Sequence, residues 1–195
     1  MRNLKIVRKN PTVSNKERGR EVAMLRNIKL AIFDFDDTLA IHKDKDYGLH
    51  RKEWGKNNYY KQAYENPDIF YETIEPCDIS KDMYKLISYL RLHNVKMFCL
   101  FGMKMSLHAN AKQAFINKNY GEDIKLLASS TQSGKVDVVQ ILQESTGCKP
   151  SEVLFVDDLP NVVDLMKEQG YIALLATQVK DLIIDGISLL EIMDD

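Results

Sequence analysis

The chain is poor in cysteine, with only Cys77, Cys99 and Cys148 in 195 residues. An odd number without paired spacing excludes a disulfide-stapled scaffold and fits a reducing, intracellular setting, so the expected location is the cytoplasm. Long apolar runs are missing too. None approaches the ~20 residues a membrane span needs, and the N-terminus carries no signal-peptide apolar core, so no membrane partner is expected. There is no internal repeat and no low-complexity tract. Net charge is almost absent, at −1, yet it is unevenly spread. Residues 1–29 hold nine basic side chains against Glu17 and Glu21, a balance of +7, which leaves about −8 for the remainder. A basic lead of this kind contacts nucleic acid or acidic surfaces in some proteins, but a solvated face is its commoner meaning, and nucleic acid is not the favoured partner. A transit peptide is not supported, because the segment is not Ser-rich.

What the chain does have is a 45% hydrophobic composition, enough for one globular domain with a core and a small appendage. It also has one stretch around which the rest is organised: Leu30-Ala31-Ile32-Phe33-Asp34-Phe35-Asp36-Asp37-Thr38-Leu39. The apolar run predicts a buried strand of a parallel sheet. Three carboxylates then arrive within four positions. Acids this close repel one another and need a counter-charge, a proton or a metal. Ligand chemistry in parallel α/β sheets gathers outside the carboxyl ends of strands, so Asp34 and Asp36 are candidate site residues. An acidic N-cap after a strand is the alternative.

In chain order, Leu4–Val7 predict an edge strand and residues 15–27 a helix leading into the central strand at Ile28–Phe33. Residues 41–77 interleave Trp54, Tyr59, Tyr60, Tyr64, Phe70 and Tyr71 with basic residues and with His42 and His50. They read as a small insertion or cap emerging from the site, in which most aromatics serve packing. Helices are expected over 79–93, 106–118, 135–145 and after Leu159-Pro160-Asn161, with strands over 95–101, 124–128, 153–156 and 172–175. Asn94, Gly121, Gly147 and Gly170 follow the helices as stop signals. The apolar tail 181–193 predicts a helix packed on the sheet. Alternating strands and helices predict an α/β fold, a three-layer Rossmann-like parallel sheet. The organisation expected is a basic extension (1–27), a core (28–40 and 78–195) and the insertion (41–77).

Three features fall at or just after strand ends: Asp34-Phe35-Asp36-Asp37-Thr38, Lys135 at the start of a helix, and Asp157-Asp158. Together they resemble the haloacid dehalogenase-like (HAD) hydrolase superfamily. Its first motif, Asp-x-Asp-x-Thr, is matched by Asp34, Asp36 and Thr38. Its third, a lysine, is matched by Lys135, and its fourth, an acidic pair after an apolar strand, by Asp157 and Asp158. The resemblance covers roughly residues 28–176. It implies a HAD-like phosphatase that uses Mg²⁺. Asp34 is the implied nucleophile, Asp36 the general acid and base, and Lys135 a phosphate-binding cation that offsets the carboxylates. The implied metal set is the Asp34 carboxylate, the Asp36 backbone carbonyl, and Asp157 and Asp158, with Asp158 in direct contact and Asp157 direct or through water. Thr38 falls among the phosphate-binding positions and holds the turn, and Asp37 faces solvent. The implied substrate is a phosphorylated small molecule more than a macromolecule, with a homodimer allowed.

One position departs from that pattern. The second motif supplies a Ser or Thr hydroxyl at the end of the second core strand, where this chain reads Phe98-Cys99-Leu100-Phe101-Gly102. Backbone around Phe101 and Gly102 is the candidate substitute, and loss of one hydrogen bond to a charged group costs about 1.5–3 kcal/mol. A weakly active or inactive binding protein on the same fold is therefore the alternative. Lys135 alone also fits an exposed helix lysine, and Asp157-Asp158 also fits a helix cap. A response-regulator receiver domain, which shares an acidic pair and a lysine, is disfavoured by motif order.

Overall fold

Leu30, Ala31, Ile32 and Phe33 form the central strand, β1 (Leu30–Phe33), and all four side chains are fully buried. Their alternation explains why. Leu30 and Ile32 point into one apolar cluster, and Ala31 and Phe33 into another. A strand covered on both faces has no use for polar positions. The structure, a computed structural model, describes residues 25, 27–42, 74–76, 80–102, 107–184 and 187–188.

After β1 come two short strands, β2 (Ala40–His42) and β3 (Ile74–Pro76), which pair antiparallel with Ala40 opposite Pro76. The core then continues through α1 (Ser80–Leu92), β4 (Lys96–Gly102), α2 (Leu107–Asn119), β5 (Lys125–Ser129), α3 (Lys135–Thr146), β6 (Val153–Asp157), α4 (Pro160–Glu168) and β7 (Ile172–Leu175). Five of these strands make one parallel sheet in the order β5-β4-β1-β6-β7. Met83, Leu86, Ile87 and Leu90 of α1 and Ile116 of α2 cover the face that holds Phe33, Cys99 and Val156. Val139 of α3 and Val162, Val163 and Met166 of α4 cover the face that holds Ile32, Leu100 and Phe155. The result is the three-layer α/β architecture the sequence predicts.

The chain steps outward from β1 through β4 to β5, then returns past β1 to β6 and steps the other way to β7. The order of strands reverses beside β1, which opens a crevice at its carboxyl end. Both acidic motifs arrive there. Helix ends follow the sequence signals closely. Asn94 takes φ 56° after α1, and Gly147 takes φ 67° after α3, where its N–H reaches Gln143 and Glu144 carbonyls. Arg91 of α1 clamps Asp123 through two hydrogen bonds of 2.8 and 2.6 Å and also donates to the Tyr120 carbonyl, tying α1 to the α2–β5 connection.

Two expectations change. The helix expected over 181–193 is, in its described part, a 3₁₀ turn (Ala176–Asp181) followed by the antiparallel strands β8 (Ile183–Ile184) and β9 (Ile187–Ser188). Ile-Ile and Ile-Ser flank Asp185-Gly186 in the sequence, and Asp-Gly between β-branched residues is a hairpin signal stronger than the apolar content that suggested a helix. The central strand begins at Leu30 rather than Ile28. The expected strand at 4–7, the helix at 15–27 except Leu25 and Asn27, and the aromatic stretch 43–73 lie outside the described residues. Among the described residues no helix is long and apolar enough to cross a membrane.

Candidate active site

Asp34 follows β1 directly and extends its ladder, donating its N–H to the Val156 carbonyl at 2.8 Å. The chain then turns sharply. Leu39 and Ala40 both donate to the Phe35 carbonyl, at 2.9 and 3.0 Å, and Asp37 donates to the Ala40 carbonyl. Asp37 sits at φ 56°, a left-handed conformation that Asp tolerates better than most residues. This turn sorts the side chains. Asp34, Phe35, Thr38 and Leu39 go inward, while Asp36 and Asp37 are exposed. The Thr38 hydroxyl is buried with no hydrogen-bond partner among the described residues.

Lys135 is the first residue of α3, a position where the helix dipole disfavours a cation, and its side chain is fully buried. Two carboxylates compensate. Its Nζ donates to Asp34 Oδ1 at 2.5 Å and to Asp157 Oδ2 at 2.8 Å. This is not an exposed helix lysine. Asp157, the last residue of β6, uses its other oxygen to accept the Leu159 N–H at 2.9 Å. That bond braces the turn before α4, whose own cap residue is Leu159. Asp158 is half-buried beside it.

The electrostatics follow from this crowding. Burial drives the Asp34 carboxyl up to about 7; Lys135 opposes the rise, and Asp157 and Asp36 add to it. Burial also drives Asp158 up to about 7, with Asp157 and Asp37 adding to it. Burial alone would lower Lys135, but Asp34 and Asp157 more than offset that, and its pKa lies above the ordinary lysine value. The pocket therefore carries more negative charge than its lysine neutralises. Oxygens of Asp34, Asp157 and Asp158 lie within 4.8 Å of one another. A compact set of hard oxygen donors, crowded beyond what one ammonium neutralises, suits a small divalent cation such as Mg²⁺. The residues present thus fit the metal the sequence implies. The Asp36 carboxylate stands apart from this set, which leaves its backbone carbonyl as its expected contribution.

Asp36 instead meets a residue the sequence reading passed over. Lys112 of α2 donates to Asp36 Oδ2 at 2.7 Å, and its own side chain is 2% exposed. The signal was there. Lys112 lies four residues before Ile116 and three before Phe115, so it falls on the apolar stripe of α2 and not on its wet side. Phe101, a candidate phosphate-binding position, turns its ring under this ammonium at 4.7 Å to the centroid. Gly102 ends β4 level with Ser129 of β5. A Cβ there would meet the Gln132 side chain at 3.3 Å, so an amide overhangs Gly102, which with Leu100 and Phe101 is one of three positions for the missing second-motif hydroxyl. His42's side chain and His50 lie outside the described residues.

No protein-family model and no curated protein matches the chain. Solved structures do. The N-terminal part of a Bacteroides fragilis protein containing a phosphatase domain, complexed with Mg, superposes with a TM-score of 0.50 at 13% identity, over 82% of this chain and 39% of that one. The chain shares the α/β fold of that domain. It spans about two-fifths of the length of that B. fragilis chain. A HAD family enzyme of Bacteroides thetaiotaomicron, in complex with magnesium and inorganic phosphate, gives 0.48 at 13% identity over 76% of this chain and 93% of its own. A predicted HAD-like family hydrolase of Porphyromonas gingivalis gives 0.45 at 19% over 76% and 90%. At these identities the likeness is one of fold. In this α/β frame Asp34, Lys135 and the Asp157-Asp158 pair converge at one crevice, and Asp36 stands at its rim.

Proposed function

We propose that the protein is a Mg²⁺-dependent phosphomonoesterase that works through an aspartyl phosphate on Asp34. The observation that carries this reading is the meeting of Asp34, Asp157 and Asp158 around Lys135 at the carboxyl end of β1. Asp34 attacks phosphorus with the oxygen that Lys135 does not hold, forming the acyl phosphate as the ester P–O bond breaks. Asp36, exposed on the turn, gives its proton to the departing oxygen. It then takes a proton from the water that splits the acyl phosphate and frees Asp34. Lys135 has three N–H donors, two of them committed to Asp34 and Asp157, and the third serves a phosphate oxygen. Bound Mg²⁺ supplies positive charge that offsets the carboxylates and the incoming phosphate. Asp158 and Asp34 are its side-chain ligands in this reading. Asp157, with one oxygen on Lys135 and the other on the Leu159 N–H, acts through water.

Residues 41–77, whose ends pair as β2 and β3, serve as a small cap in this reading, and the substrate is a small phosphorylated molecule. The second-motif hydroxyl, missing at Leu100, Phe101 and Gly102, favours modest turnover, and a phosphate-binding protein without turnover is the second reading. Phosphate release from p-nitrophenyl phosphate decides between them. Turnover that requires Mg²⁺, stops with EDTA and is lost in Asp34→Asn supports the phosphatase. Mg²⁺-dependent vanadate binding without turnover on any ester of a broad panel supports the binding protein.

A further inference from the structure

Lys112 is a buried cation with no role in the phosphoryl chemistry proposed for Asp34, Asp36 and Lys135. A helix lysine normally snorkels to water. This one is 2% exposed, while the carboxylate it holds, Asp36, is 67% exposed. The fixed member of the pair is the lysine. Its ammonium lies 4.1 Å from the centroid of the Phe35 ring and 4.7 Å from that of Phe101. Phe35 is braced in turn by an edge-to-face contact with Phe115 at 5.5 Å. Two ring faces on the ammonium are favourable in a desolvated site. They also leave the Asp36 direction as the polar outlet for its N–H donors among the contacts described. Phe101 belongs to β4 and Phe35 to the turn that carries Asp36, so the chain locks one acidic rotamer to the central sheet.

Resting on the phosphatase reading, we infer that Lys112 is a positioning residue: it holds the Asp36 carboxyl over the crevice so that the proton passes to the departing ester oxygen. A general acid must sit within hydrogen-bond reach of that oxygen. Asp36, on an exposed turn, makes no other side-chain hydrogen bond or ion pair among the described residues. The step balances with the proton on Asp36 Oδ1 while Lys112 holds Oδ2: it leaves Oδ1 for the alkoxide as the P–O bond breaks, and Lys112 neither gives nor receives it.

The test is a leaving-group comparison with a double-mutant cycle. Lys112→Met keeps the apolar stem and removes the charge. Turnover is measured on an alkyl phosphate, whose poor leaving group needs the acid, and on p-nitrophenyl phosphate, which scarcely does. The expected result is a loss of about 10-fold or more in kcat/KM, which reports the steps up to P–O cleavage and not the later hydrolysis both esters share, on the alkyl ester and a much smaller loss in kcat/KM on the aryl ester. In an Asp36→Asn background the same change should cost almost nothing further. Equal losses on both esters, or an undiminished loss in the Asp36→Asn background, would overturn the inference and leave Lys112 a core residue. If Lys112→Met does not fold, Lys112→Gln enters the same cycle, and failure of both to fold overturns it equally. A wild-type protein inactive on every ester sinks the phosphatase reading instead. The contact is then read by ¹⁵N NMR of the Lys112 ammonium: a shift in Asp36→Asn supports the restraint, and no shift overturns it.

Discussion

Asp34 and Asp157, 123 positions apart in the sequence, share a single ammonium: Lys135 donates to Asp34 at 2.5 Å and to Asp157 at 2.8 Å with all three side chains almost wholly buried. Breaking a buried pair by removing one partner leaves an uncompensated charge and costs about 3–5 kcal/mol. Lys135→Met should therefore destabilise the metal-free protein by an amount in that range at neutral pH, measured by urea unfolding. Mg²⁺ should recover part of the loss, because a cation can take over the neutralising role. Lys135→Arg should not rescue, since a fully buried site shaped for an ammonium has no room for the larger planar guanidinium. A Lys135→Met protein as stable as wild type would mean that the acids are protonated in the fold and that the lysine is not needed to balance them.

Asp34→Asn should separate stability from activity. The carboxyl at position 34 is pushed up to about 7 chiefly by burial, so its ionised form is a liability to the metal-free fold. The amide removes that liability while keeping shape. Melting temperature in EDTA at pH 8 should rise by a few degrees, and phosphate release should fall to background. Loss of both activity and stability would show that the carboxylate is needed for the fold itself.

The pH dependence of stability follows from the same two acids. Asp34 and Asp158 titrate near 7 in the folded protein and at about 3.9 when unfolded. Between those values the folded state binds more protons than the unfolded one, so stability falls as pH rises through that window. Metal-free protein should melt at a lower temperature at pH 7.5 than at pH 5, a direction opposite to that of salt-bridged surface acids. Mg²⁺ should flatten the slope by replacing the protons. Melting curves in EDTA and in Mg²⁺ across the window check both statements, and a slope unaffected by Mg²⁺ would remove the metal site.

Much of this was legible in the sequence because burial and charge conflict so openly there. An apolar run ending in three acids marks both the central strand and the site, and Asp157-Asp158 repeats the signature at β6. The helix and strand bounds of the core came out within a residue or two because Asn94, Gly147 and Gly170 do the same job in the chain as in the fold. Lys112 escaped because α2 is weakly amphipathic, so a lysine on its inner stripe does not look out of place until Asp36, 76 positions away, is folded over it. The β8–β9 pair is hard to see in the sequence because the apolar content of 181–193 masks its single Asp-Gly signal. Lys135 could be placed only by the partners it meets, since a lone lysine has no pattern of its own.

On the phosphatase reading, Gly102→Ser should tighten phosphate binding. Gly102 ends β4 beside the crevice, level with Ser129, at the position where the chain departs from the second HAD-like motif. A side chain there meets Gln132 at 3.3 Å. That neighbour is the far end of an exposed, flexible side chain, so it gives way at little cost. The restored hydroxyl adds one hydrogen bond to a charged group, about 1.5–3 kcal/mol if it reaches the phosphate, which is roughly 10-fold or more in binding. The gain should appear as a lower KM for phosphate esters and tighter inorganic phosphate inhibition, with melting temperature nearly unchanged. Gln132→Ala in the wild-type background should do the reverse if its amide already stands in for the hydroxyl. If Gly102→Ser folds normally and phosphate inhibition does not move, position 102 is not where the phosphoryl group sits.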